Sequence, residues 1–205
     1  MAQTPIEFWY EFASTYSYVA MEKVARSPAA FQYKPFLLGP VFAAQGMKDS
    51  PFNLFPVKGR YMVRDMERLC AALELPFKLP HDFPRGSLLA TRVALAASLP
   101  DASTPAERES FLCAFSQRVY RANFAEDREI GEPSVVSEIL TDLGKDAKSW
   151  LARAETPEVK QALRDQTARA QELGIFGAPT FLVRGELFWG SDRFDHALAW
   201  SERSA

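Results

Sequence analysis

The chain opens on a run of apolar and aromatic positions, Pro5-Ile6-Glu7-Phe8-Trp9-Tyr10-Glu11-Phe12, with two acidic residues among them. The pattern predicts a short buried strand over 5–12. A polar turn, Ala13–Ser17, follows, and Tyr18, Val19, Met21 and Val24 then predict a helix to about Arg26, ended before Ser27-Pro28. Residues 30–38 predict a second strand, with Pro35 marking an edge or a bulge. Strand–helix–strand is the unit from which parallel sheets are built.

The middle of the chain has a helical texture. From Lys58 onward, Met62, Met66, Leu69, Cys70 and Leu73 recur at helical spacing. Residues 87–99 are apolar nearly all round and predict a helix buried between others. Thr104-Pro105-Ala106-Glu107 is a capping box with proline at the first helical position. It launches a helix with Phe111, Leu112, Phe115 and Val119 on one face. Val135, Val136, Ile139, Leu140 and Leu143 predict another, stopped by Gly144. Thr156-Pro157 starts a last long one that Gly174 ends.

Strand texture then returns. Residues 179–184 and 186–189 predict two strands joined by a turn at Gly185, followed by a helix from about Asp192 to Trp200. This order predicts an α/β chain with a thioredoxin fold interrupted by an all-helical domain. The discontinuous thioredoxin-like domain takes 1–45 and 174–205, and the insertion takes 46–173.

Composition narrows the function. The 205 residues are 47% hydrophobic and 24% charged, the profile of a folded chain with a sizeable core. A net charge of −2 gives no global basic field, so no nucleic-acid partner is expected. No apolar run approaches the ~20 residues that span a bilayer, so no membrane partner is expected, and residues 1–12 lack the features of a signal peptide. The two cysteines, Cys70 and Cys113, lie far apart inside helical patterns, which disfavours a disulfide framework or a metal site. Inert thiols in a reducing cytoplasm are expected. His81 and His196 have no ligand partner at metal spacing, and no phosphate loop or nucleophile elbow is present.

Four segments carry candidate chemistry. Ser14 stands between the first strand and its helix, where a thioredoxin-like chain carries its C-x-x-C pair, and Ser17 takes the second place. Helix N-termini stabilise thiolates. Ser14 therefore either caps the helix alone or donates a hydrogen bond to a thiolate supplied by another molecule. Gly177-Ala178-Pro179-Thr180 leads into a strand in the manner of a cis-proline loop. Such a loop turns the backbone of Ala178 outward to pair with a peptide-like ligand. Ser191-Asp192-Arg193 opens the last helix, where free N–H groups suit a carboxylate and Asp192 an ammonium. The fourth is a proline-punctuated loop, 49–61, that leaves Lys58 at a helix start, a place the dipole does not favour for a cation.

Together the stretches EFASTYSYVA, PVKGRYMVRDMERL, GIFGAPTF and FWGSDRFDHAL resemble the 2-hydroxychromene-2-carboxylate isomerase family and the related kappa-class glutathione transferases, both of the DsbA-like branch of the thioredoxin superfamily. The resemblance implies glutathione as cofactor, bound between the thioredoxin part and the helical insertion. It implies Ser14 facing the thiol as the catalytic residue, Lys58 contacting the tripeptide, Ala178 beside cis-Pro179 pairing with the cysteinyl backbone, and Ser191 and Asp192 holding the γ-glutamyl end. Arg193 belongs to the same binding turn. Where relatives commonly carry asparagine followed by two prolines, this chain has Asp49-Ser50-Pro51-Phe52, so either Asp49 or the displaced Asn53 takes that place. The implied activity is a glutathione-dependent isomerisation of aromatic or pyruvate-conjugated compounds. The alternatives are transfer of glutathione to electrophiles, or binding of glutathione or an aromatic acid without turnover. The resemblance also implies a homodimer.

Overall fold

The computed structural model describes residues 5–99 and 103–203, so the outer domain limits expected at 1 and 205 lie outside the described residues. A four-stranded sheet takes the order β2-β1-β3-β4, from β1 (Ile6–Tyr10), β2 (Phe31–Pro35), β3 (Thr180–Val183) and β4 (Glu186–Trp189). β1 runs parallel to β2, with Ile6 opposite Phe31, and antiparallel to β3, with Phe8 opposite Phe181. Pro35 ends the edge strand, where its missing N–H breaks no ladder bond of an inner strand. The β3–β4 hairpin turns at Arg184 and Gly185, both at positive φ, the conformation a two-residue hairpin turn demands.

α1 (Thr15–Arg26) crosses from β1 to β2 and buries Tyr18, Val19, Met21 and Val24. α10 (Phe194–Ser201) covers β3 and β1, with the Phe194 ring 5.6 Å from Phe181 and 6.0 Å from Phe31. Between the strand pairs lie α2 (Leu38–Ala44), α3 (Pro51–Leu54), α4 (Pro56–Ala72), α5 (Leu88–Ser98), α6 (Pro105–Phe124), α7 (Pro133–Asp142), α8 (Ala147–Ala154) and α9 (Pro157–Glu172). The capping box at Thr104 forms, Thr156 caps α9, and Gly144 and Gly174 end α7 and α9 at positive φ. The loop expected over 49–61 instead holds α3 and the first turn of α4. α2 and α8 carry no counterpart in the sequence expectation.

One continuous apolar core joins β1, α1 and β3 to Met66, Phe115, Tyr120 and Ile139 of the helical segment. A smaller cluster on the opposite face of the sheet holds Trp9, Phe36, Val41, Ala170 and Ile175. Trp9, Tyr10 and Phe36 are thus core residues, whereas Trp189 is half exposed, its ring tilted against that of Phe176 with centroids 4.9 Å apart.

Candidate active site

The site grows from the turn between β1 and α1. The Ser14 side chain accepts the Ser17 N–H at 3.2 Å, which makes it the N-cap of α1. Its hydroxyl also donates to the carbonyl of Ala178 at 3.0 Å. The Ala178–Pro179 peptide bond is cis. The two segments, 164 positions apart, therefore meet at the Ser14–Ala178 hydrogen bond, and the helix cap faces the cis-proline loop.

The last turn joins them through the backbone. Gly190 donates its N–H to Pro179 O at 2.9 Å, and Gly190 itself takes φ +110°, a conformation that favours glycine. Ser191 is buried, and its carbonyl accepts Lys23 Nζ of α1 at 3.0 Å. Asp192 and Arg193 are exposed and pair with each other at 3.4 Å. The Gly177 backbone lies under the Trp189 indole, where a Cβ would come within 2.6 Å of Nε1.

α4 forms the opposite side. Tyr16 donates its hydroxyl to Asp65 Oδ2 at 3.0 Å, tying α1 to α4. Burial, that bond and the neighbouring Tyr61 and Asp192 push the Tyr16 phenol above its usual range. Lys58, Tyr61 and Asp65 fall on one face of α4, since they are three, four and seven positions apart. Lys58 is exposed about 10 Å along the helix from Asp65 at 1.5 Å per residue. Asp49 and Asn53, treated in the sequence as rivals for one contact, are partners: Asn53 Nδ2 donates to Asp49 Oδ2 at 3.1 Å, and Ser50 N donates to Asp49 Oδ1 at 2.6 Å. The carboxylate is thus turned back onto its own loop.

Glu11 escaped the sequence expectation as a site residue. It is 5% exposed, directly beneath the Ser14 turn, and burial lifts its carboxyl to about 7. An acidic residue set between the aromatic Tyr10 and Phe12 was the available signal. Cys70 is buried and its thiol is pushed up to about 12, so it is no nucleophile near neutrality. Among the described residues no group of three His, Cys, Asp or Glu could hold a metal ion, and no helix is long and apolar enough to cross a membrane.

The model of the DsbA-like thioredoxin domain matches residues 5–199. The chain belongs to that family. Within the DsbA-like family it is 30% identical to human glutathione S-transferase kappa 1, across 93% of this chain and 87% of that protein. It is 27% identical to the 2-hydroxychromene-2-carboxylate isomerase of Sphingobium xenophagum, across 93% and 94%. A solved 2-hydroxychromene-2-carboxylate isomerase superposes with a TM-score of 0.83 at 21% identity, covering 95% of this chain and 93% of that one. The DsbA-like fold is therefore shared along nearly the whole chain.

Proposed function

We propose that the protein is a glutathione-dependent isomerase of the 2-hydroxychromene-2-carboxylate isomerase type, acting on aromatic or pyruvate-conjugated compounds. The observation that carries this reading is the Ser14 hydroxyl at the N-terminus of α1, 3.0 Å from the carbonyl that precedes a cis-proline. The place of a reactive cysteine is held by a hydroxyl, so the thiol must come from a ligand. The residues present suit a tripeptide thiol. The Ala178 backbone, whose carbonyl accepts the Ser14 hydroxyl, borders the cis-proline where a strand-like partner would pair, the Ser191 turn offers N–H groups, and Asp192 offers a carboxylate to an ammonium. Lys58, and Asn53 or Asp49, complete the contacts from the side of α3 and α4.

In this reading Ser14 and the first N–H groups of α1 lower the pKa of the bound thiol. Glutathione supplies a thiolate that adds reversibly to an electron-poor double bond, permits rotation about it and is expelled. Ser14 holds the charge on sulfur when it is attacking and when it leaves. The same proposal includes a reducing compartment, where glutathione is abundant, and a homodimer.

A second reading, transfer of glutathione to electrophiles, is favoured by the 30% identity to the human kappa transferase. Product analysis separates the two. Incubation with glutathione and a hydroxychromene carboxylate yields isomer with glutathione conserved, whereas a chloronitrobenzene yields a conjugate. Ser14→Ala is expected to lower kcat/KM by about 10²-fold, the loss seen when a donor to a developing anion is removed. Unchanged turnover in that variant overturns the mechanism, and ligand-induced stabilisation without turnover of either compound would make the protein a binder.

A further inference from the structure

The helical segment holds the β1–α1 turn through Ser87, Tyr120 and Asn123. Glu11 O accepts the Ser14 N–H at 3.0 Å and the Tyr120 hydroxyl at 2.9 Å. Phe12 O accepts Asn123 Nδ2 at 3.0 Å. The Glu11 carboxyl accepts the Ala13 N–H at 3.0 Å and the hydroxyl of Ser87, the residue before α5. The Glu11 carboxyl and the Glu11 carbonyl thus hold the successive N–H groups of Ala13 and Ser14 that lead into the helix cap.

The groups facing Glu11 are Ser87 from the start of α5, Tyr120 from α6 and the turn's own Ala13 N–H, all uncharged. Arg85, two residues before Ser87, directs its guanidinium to Asn123, Asp127 and Glu129. Among the described residues no ion pair reaches Glu11. A lone buried carboxyl without a cation resists ionisation, and its group is poised near neutrality.

We infer that Glu11 is a positioning residue for Ser14, and that its charge governs how readily a thiol facing Ser14 ionises. A thiolate there relies on the positive end of α1. An ionised Glu11, three residues upstream and bonded to the same turn, draws on that same helix end. Protonated Glu11 leaves the helix end to the sulfur alone; ionised Glu11 sets a second anion beside it. The two groups titrate as a coupled pair, the charge of each raising the pKa of the other. That the thiol is glutathione's rests on the function proposed above; the coupling itself does not.

The test separates the two. Ser14→Cys puts a thiol on the chain itself, and its ultraviolet thiolate absorbance is followed against pH with and without Glu11→Gln. The single variant is expected to titrate in two steps. The Glu11→Gln double variant is expected to titrate in one, with its midpoint about one unit lower. Adding Ser87→Ala to Ser14→Cys removes a bond that favours the charged carboxylate, and moves the upper step to higher pH. Equal midpoint and shape with and without Glu11→Gln overturns the inference. Should Glu11→Gln not fold, an unmoved upper step in the Ser87→Ala variant overturns it instead. Glutathione binding to the unmodified protein, measured by calorimetry, is the separate arm: no binding removes the proposed function, while the titration of the introduced thiol still decides the role of Glu11.

Discussion

Ser14 carries one proton and, in this fold, two duties. Its oxygen accepts from Ser17 N while its hydroxyl donates to Ala178 O. A neutral thiol competes poorly with either partner. A thiolate can take the proton from a neutral carbonyl, because a hydrogen bond to a charged acceptor is roughly twice as strong as a neutral one. In the proposed function the site therefore favours ionised sulfur over the neutral thiol. Asp192 shows the opposite economy of contacts: its ion pair to Arg193, at 3.4 Å, is exposed, and such pairs contribute only about 0–1 kcal/mol. Its carboxylate can turn to an ammonium at little cost. Asp192→Asn is expected to raise the KM for glutathione about tenfold with kcat unchanged, the pattern of lost uniform binding. Steady-state kinetics check this, and a fall in kcat at constant KM would place Asp192 in the chemistry instead. The Ser14 cap and the cis bond at Pro179 were legible because each sits in a local pattern of cap or proline. Glu11 was not, since its partner Ser87 lies 76 positions away, nor was the tie of Tyr16 to Asp65 across 49.

Among the elements, the α3–α4 corner shows how proline misleads. Pro51 and Pro56 punctuate 49–61 like a loop, yet each stands at the start of a helix, where its missing N–H costs nothing. The long amphipathic helices and their caps were legible because period, cap and stop agreed. α2 and α8 are short, with seven and eight residues, and neither has an N-cap side chain bonded to a helix N–H. Packing rather than local signal defines them. Within the corner, Gly59 permits a close approach: a Cβ there would lie 2.5 Å from Phe52 O. Alanine ordinarily gains about 1 kcal/mol over glycine in a helix. Here the clash is with backbone rather than a flexible side chain, and overpacking of that kind costs about 1–3 kcal/mol. Gly59→Ala is thus expected to lower stability in chemical denaturation despite its better helix propensity, and to weaken glutathione binding by displacing the 49–55 corner. Increased stability would show that α3 yields freely.

At the scale of the whole molecule, two buried or bonded carboxyls set the pH response. Glu11, raised to about 7 by burial, binds a proton more tightly in the folded chain than in the unfolded one. Its contribution is full below the ordinary glutamate range and is lost as pH rises towards and through 7. Asp127 is held far below the usual carboxylate range by bonds from Lys78, the His81 N–H and Arg85, so its contribution is present above about 4 and is lost on further acidification. Thermal unfolding should therefore show its highest midpoint in mildly acid solution, and decline towards neutral pH. For Glu11 the difference is on the order of 3 kcal/mol, or about 5–10 °C in a chain of this size. Glu11→Gln should flatten the neutral limb, and scanning calorimetry across pH reads it directly. The arrangement of the sheet carries one more consequence. β1 and β3 are neighbours although nearly the whole helical segment separates them, and the hydroxyl and carbonyl that face each other belong to those two ends. During synthesis, α1 and its cap can form long before residue 178 exists. The Ser14–Ala178 contact is completed only when β3 closes against β1, so an interrupted chain holds most of the helices without it.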